Sequence, residues 1–157
     1  MASAPEIEIR TANRGDLQAI VELLRRDSVT GAPEEPGAEL GISQAQIEAF
    51  ETIAAHPDNE VIVATLGGEV IATMQLTFIP GLSFNGAWRA QVEGVRVRHD
   101  LRSLGIGARL MEWAIRRARD RGCRMVQLTS NKSRVDARRF YERLGFIASH
   151  TGMKLYL

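Results

Sequence analysis

Hydrophobic positions recur in this chain at two spacings that alternate along it. Ile7 to Thr11 alternates apolar and polar residues, as a half-buried strand does, and Asp16 to Arg26 then places Leu17, Ile20, Val21 and Leu24 on one helical face. Proline and glycine between Ser28 and Gly41 predict a loop. Ser43 is placed to cap a helix running through Ile47, Phe50 and Ile53 to about Ala55, ahead of a turn at His56-Pro57-Asp58-Asn59.

Val61 to Leu66 and Val70 to Phe78 read as strands joined by Gly67-Gly68, a tight hairpin that opens an antiparallel sheet. Ala90 to Arg98 is strand-like, but its alternation fails at Glu93-Gly94, which fits either a bulge or a slack edge strand. From Gly105 to Arg121 the period is helical, with Ile106, Leu110, Ala114 and Ala118 on one stripe and Met111 and Ile115 beside it. Gly122 stops that helix. Arg124 to Thr129 predicts a short strand, Asp136 to Leu144 a helix closed by Gly145, and Phe146 to His150 and Met153 to Leu157 two final strands. The order is βαα, ββ, βαβαββ, a mixed α/β sheet in a single domain spanning 1–157.

Composition narrows the function classes. With 20 Lys and Arg against 19 Asp and Glu, the chain lacks the basic excess of a dedicated nucleic-acid binder. Its only lysines are Lys132 and Lys154, so the positive charge is arginine, which suits planar contacts with phosphate and carboxylate. Cys123 is the single cysteine, Met1 to Glu8 has no apolar signal region, and no apolar run approaches the ~20 residues of a spanning helix, so a cytoplasmic protein with no membrane partner is expected. His56, His99, His150 and Cys123 show no paired ligand spacing, so no metal is expected. Gly81 to Gly86 misses the serine-hydrolase elbow by one residue. Cys123 reads as a packed small residue rather than a nucleophile.

The strand, loop and helix opening at Val95 to Gly107 have the makings of an anion site. Backbone N–H groups at a helix N-terminus lack intrahelical partners and face the positive end of the dipole, so a phosphate is stabilised there. Gly105 and Gly107 permit close approach, and Arg102 can add charge-assisted hydrogen bonds. A P-loop is excluded because no lysine follows these glycines, and a dinucleotide fingerprint because Leu110 stands where its third glycine belongs.

Arg102-Ser103-Leu104-Gly105-Ile106-Gly107 resembles the R-x-x-G-x-G/A pyrophosphate loop of GNAT (GCN5-related) N-acetyltransferases, and Phe140-Tyr141-Glu142-Arg143-Leu144-Gly145-Phe146 resembles their F-Y-x-x-x-G-F segment. The two lie in the family's order, and Ile9 to Ala12 with Asp16-Leu17 resembles its opening strand and helix. The resemblance implies a mixed, mostly antiparallel central sheet of six to seven strands flanked by about four helices and splayed between strands 4 and 5. It implies acetyl-CoA as acyl donor, held by Val95, Arg96, Val97, Arg102, Ser103, Leu104, Gly105, Ile106 and Gly107, with Asn131, Ser133, Ala137 and Phe140 further along. Glu93 would be the base that readies the amine, often through water, and Tyr141 the acid that protonates the departing thiolate. Three positions depart from the family pattern: Ser103 for a glycine, His99 for a proline and Arg134 for an asparagine. Asn131 or Ser133 would then replace the usual asparagine contact.

The implied reaction is direct attack of a small molecule's primary amine on acetyl-CoA in a ternary complex. Alternatives are an acyl-CoA-binding regulatory or partner module without turnover, and a protein N-terminal or lysine acetyltransferase. The acceptor would be chosen by loops such as Ser28 to Gly41, where Glu34, Glu35 and Glu39 either favour a cationic amine or are simply solvated, and Pro80 to Ala87. Edge-strand pairing into homodimers is frequent in the family. The arginines at 116, 117, 119 and 121 form a basic cluster, but Glu112 and Asp120 share their helix.

Overall fold

The structure is a computed structural model describing residues 6–26 and 41–157. The expected loop from Ser28, with Glu34, Glu35 and Glu39, lies outside the described residues up to Gly41. Two compact units are present, Met1–Gln127 and Leu128–Leu157.

In the first unit, β1 (Ile7–Thr11) leads through a 3₁₀ turn (Arg14–Asp16) into α1 (Leu17–Arg26). Asn13 and Asp16 form a capping box there, satisfying two orphan donors reciprocally. α2 (Gln44–Ala55) starts at Ser43, whose hydroxyl accepts from the Gln46 amide while the Gln46 side chain accepts from the Ser43 amide. The hairpin β2 (Asn59–Leu66) and β3 (Glu69–Ile79) follows, then a short helical segment α3 (Ser83–Gly86), β4 (Trp88–Val97), a 3₁₀ turn (His99–Leu101), α4 (Ile106–Asp120) and β5 (Cys123–Leu128). The sheet order is β1-β2-β3-β4-β5, and the first three neighbouring pairs are antiparallel.

Sheet registers assign the two faces. Ile62, Met74, Leu76, Phe78, Ala90 and Val92 are all at most 2% exposed, and α4 lays the buried Ile106, Leu110, Met111, Ala114 and Ala118 on this face. Arg117 pairs with Glu60 and Arg121 with Asp58, the Arg121 guanidinium also lying 4.4 Å from the Phe78 ring centroid. Two arginines of the basic cluster are thus committed to holding α4 on the sheet. On the opposite face Leu17, Ile20 and Val21 of α1 and Phe50 of α2 bury Val63. α1 turns one residue away from expectation, with Leu23 buried and Leu24 38% exposed. The Leu24 side chain sits near the β4 backbone instead, 3.6 Å from where a Cβ on Gly94 would be.

The second unit holds α5 (Val135–Arg143) and the segment that follows it. The two expected final strands are absent among the described residues, and five strands and five helical segments replace the expected six to seven and about four. An alternating pattern supplies side chains for two faces but no hydrogen-bonded ladder, and Ile147, Met153, Leu155 and Tyr156 are exposed. The additional helical segment is α3, where Phe84 and Asn85 both take left-handed backbone angles.

Candidate acyl-CoA site

β4 carries the first part of the site. Its register against β3 slips by one residue between Thr73 and Gln75, so Gly94 and Val95 together oppose Met74. Gly94 has φ +61, the left-handed backbone that a bulge of this kind requires and that glycine adopts without steric cost. The broken alternation is therefore a bulge inside the sheet, and β4 is flanked on both sides. Glu93, just before the bulge, is exposed, and Val95, Arg96 and Val97 just after it are half-buried.

The strand then turns sharply into the loop. Arg98 fixes that turn: its amide donates to the Ile71 carbonyl at 2.8 Å, and its guanidinium donates to Asp100 at 2.8 Å and Glu69 at 3.1 Å. These carboxylates hold its pKa above the usual arginine value. Arg102 Nε lies 3.4 Å from the Val97 carbonyl oxygen, tying the loop back to the strand end. Ser103 has φ +65 and Gly105 φ +80, so the backbone reverses twice before α4 begins.

No side chain caps α4. Its first intrahelical bond runs from the Arg109 amide to the Gly105 carbonyl at 3.1 Å, so the amides of Ile106, Gly107 and Ala108 precede any intrahelical partner. A Cβ on Gly105 would meet nothing within 4 Å, so the residue that opens α4 borders open space. Uncapped N–H groups, the positive end of a helix of 15 residues and an exposed Arg102 make a cradle suited to a pyrophosphate. Arg98 was not among the sequence-derived site residues. The Arg-x-Asp spacing at the strand end was its only signal.

The remaining candidates lie in the second unit. The Asn131 side-chain oxygen accepts from the Ser133 amide at 3.0 Å and from its hydroxyl at 2.9 Å, and the Asn131 carbonyl accepts from the Arg134 amide at 2.9 Å. This turn delivers the chain into α5, whose N-terminus also has no side-chain cap. Ala137, Phe140 and Tyr141 lie on α5. The half-buried Tyr141 ring meets Phe140 and Phe146 edge to face, at 5.1 Å and 5.8 Å between centroids. The Tyr141 carbonyl accepts from the amides of Leu144 and Phe146, closing the helix.

Cys123, half-buried at the start of β5, has its thiol pKa pushed up by burial, so it is protonated at neutral pH and a weak nucleophile. Among the described residues no group of three or more His, Cys, Asp or Glu side chains is placed to hold a metal ion, and no helix is long and apolar enough to cross a membrane.

Known proteins share the fold. Residues 17–146 match the acetyltransferase (GNAT) family. An aminoalkylphosphonate N-acetyltransferase from Salmonella typhimurium strain LT2 is 31% identical over 107 residues, which are 68% of this chain and 69% of that protein. A crystal structure described as a transcriptional regulator from Bacillus halodurans is 43% identical with a TM-score of 0.89, covering 97% of this chain and 100% of that one. A predicted acetyltransferase from Clostridium acetobutylicum, crystallised with acetyl-CoA, is 18% identical with a TM-score of 0.76 and covers 96% of both chains. With the family matched across residues 17–146, most of the sequence, this chain belongs to the GNAT family of N-acetyltransferases.

Proposed function

We propose that the protein transfers the acetyl group of acetyl-CoA to the primary amine of a small molecule, by direct attack in a ternary complex. The observation that carries this reading is the uncapped N-terminus of α4 beneath an open Gly105. The amides of Gly105, Ile106 and Gly107 hold the pyrophosphate with Arg102, Ser103 and Leu104, and Val95, Arg96 and Val97 hold the pantetheine arm. Asn131, Ser133, Ala137 and Phe140 complete the contacts to CoA.

The chemistry needs a neutral amine, and an alkylamine with pKa near ~10 is mostly protonated at pH 7. Glu93 takes that proton, directly or through water. The amine nitrogen bonds to the acetyl carbon as the carbon–sulfur bond breaks, and Tyr141 gives a proton to the CoA thiolate. The Salmonella relative's description as an aminoalkylphosphonate N-acetyltransferase supports a small acceptor. The description of the Bacillus halodurans protein supports a second reading, a module that binds acyl-CoA without turnover.

Calorimetric titration with acetyl-CoA, comparing wild type with Gly105→Trp, tests the site. Binding by the wild type and its loss in a folded variant are expected, and wild-type protein that binds no acetyl-CoA would overturn the reading. Binding with no CoA release across a panel of primary amines would favour the second reading.

A further inference from the structure

The sheet face that carries Glu93 changes character across its width. On β2 it presents Val61 and Val63, packed under α1 and α2. The registers place Gln75 opposite Val61, Glu93 opposite Gln75, and Gln91 opposite Thr77. Along β4, Gln91 and Glu93 alternate with Ala90 and Val92, which are 0% and 2% exposed on the α4 side, so the two polar residues share the other face. The Gln127 amide donates to the Gln91 side-chain oxygen at 2.6 Å and brings β5 into this row, while the Thr77 hydroxyl donates to the Asn59 side chain at 2.8 Å. Glu93 thus stands among amide side chains, directly across from Gln75 and next to Gln91 on its own strand face.

These amides keep open groups. Gln75, Gln91 and Gln127 are half-buried, and among the described residues the Gln75 side chain, the Gln91 amide nitrogen and the Gln127 amide oxygen make no hydrogen bond. None of these groups is sealed from solvent, so each can reach a ligand. A half-buried amide without a partner is unfavourable, and water or a bound group must complete it. The neighbouring arginines are turned to other contacts: Arg89 holds its guanidinium beside Gly81, with Nη1 3.4 Å from where a Cβ there would be, and Arg96, beyond the bulge, donates to the Val95 carbonyl at 2.9 Å. Beside Glu93, a carboxylate or phosphonate on the ligand would meet like charge, and an alkyl tail would leave the amides unpaired. A group that both donates and accepts, a hydroxyl or a neutral amide, suits them. Two residues of strand set the Gln91 and Glu93 backbones about 7 Å apart, so an amine at Glu93 and such a group at the amide pair fit within one short ligand.

We infer that Gln75, Gln91 and Gln127 are specificity-determining residues that hold an uncharged hydrogen-bonding group of the acceptor while its amine lies at Glu93. The acceptor is then a short primary amine bearing a hydroxyl or a neutral amide. This rests on the acetyl-transfer reading above, with Glu93 as its base.

The test is CoA release from acetyl-CoA with amines of similar length and different tails: 3-aminopropanol, 3-aminopropanamide, 3-aminopropionate and butylamine. Wild type should favour the hydroxyl and amide tails over the carboxylate and alkyl tails by at least about 10-fold in kcat/KM, a preference that needs no variant to be read. Gln91→Met and Gln127→Met keep the side-chain length and remove the amide, and each should cut that preference to about 3-fold or less. The ratio of the two favoured amines distinguishes hydroxyl from amide. A wild-type preference for 3-aminopropionate or butylamine would overturn the assignment. So would an equal loss on every amine in both variants, which would make the Gln91–Gln127 pair a structural tie between β4 and β5. Wild-type protein that releases CoA with none of these amines would overturn it too, and titration with acetyl-CoA then separates the two readings. Binding would leave acetyl transfer standing with an acceptor of another kind, and no binding would remove both.

Discussion

Ser103 sits in the loop that leads into α4 with φ +65, a conformation in which a side chain crowds the backbone. The family's usual glycine at this place carries no such cost, which gives the departure seen in the sequence a physical meaning. Replacing serine by glycine relieves strain but loosens the unfolded chain, and the two effects oppose each other. The net expectation for Ser103→Gly is a gain of about 0.5 kcal/mol, read as a rise of roughly 1–2 °C in Tm by calorimetry, with acetyl-CoA affinity retained. A fall in Tm would show that the serine side chain makes a compensating contact. At this scale the sequence was informative about residue type and silent about angle. Gly94 signalled a bulge because a lone glycine interrupted an alternating strand, whereas nothing in the letters distinguished Leu23 from Leu24 as the buried one. Adjacent helical positions differ by about 100°, so a small rotation decides between them.

Elements stand or fall by how their ends are satisfied. The start of α1 depends on Asp16, which is 8% exposed, accepts from Arg10 at 2.7 and 2.9 Å and accepts from the Asn13 amide at 2.8 Å. The Arg10 hydrogen bond is the largest influence on its carboxyl; burial opposes it, and the Asn13 amide adds to it, with a net pKa below the ordinary aspartate value. A carboxyl depressed in the folded state contributes stability above its unfolded pKa of about 3.9, and loses it as pH falls through the lower folded value. Asp16→Asn should therefore cost about 2 kcal/mol at pH 7, or roughly 5 °C in Tm, and should flatten the decline in stability below about pH 4. Parallel urea titrations at pH 7 and pH 3 check this, and an equal difference at both values would deny the ion pair its role. The helices were legible because their apolar stripes are long and their ends are marked, as at Ser43 and Gly122. The two expected final strands were not secured by the same reasoning, because a strand is defined by its neighbour and Phe146 to Leu157 contains no information about one.

Across the whole molecule, the two motif halves lie in different compact units: Glu93 and the 102–107 loop in the first, and Asn131, Ser133, Ala137, Phe140 and Tyr141 in the second. Their order along the chain is legible in the sequence and points to the family without any geometry. The polar face of β4 is not, because Arg89, Gln91, Glu93, Gln75 and Gln127 are scattered over three strands and become one surface only through the sheet register. The proposed role of Glu93 can be separated from mere packing by pH. If it removes a proton from the incoming ammonium, its loss matters most where the amine is mostly charged and least where solvent has already deprotonated it. Glu93→Gln should lower kcat about 10- to 100-fold at pH 7 and recover towards wild type as pH approaches the amine's own value near ~10, with acetyl-CoA affinity unchanged. An acceptor with a lower amine pKa should shift the recovery to correspondingly lower pH. A deficit that stays constant from pH 7 to pH 10 would assign Glu93 to positioning the acceptor, and leave proton removal to another group or to water.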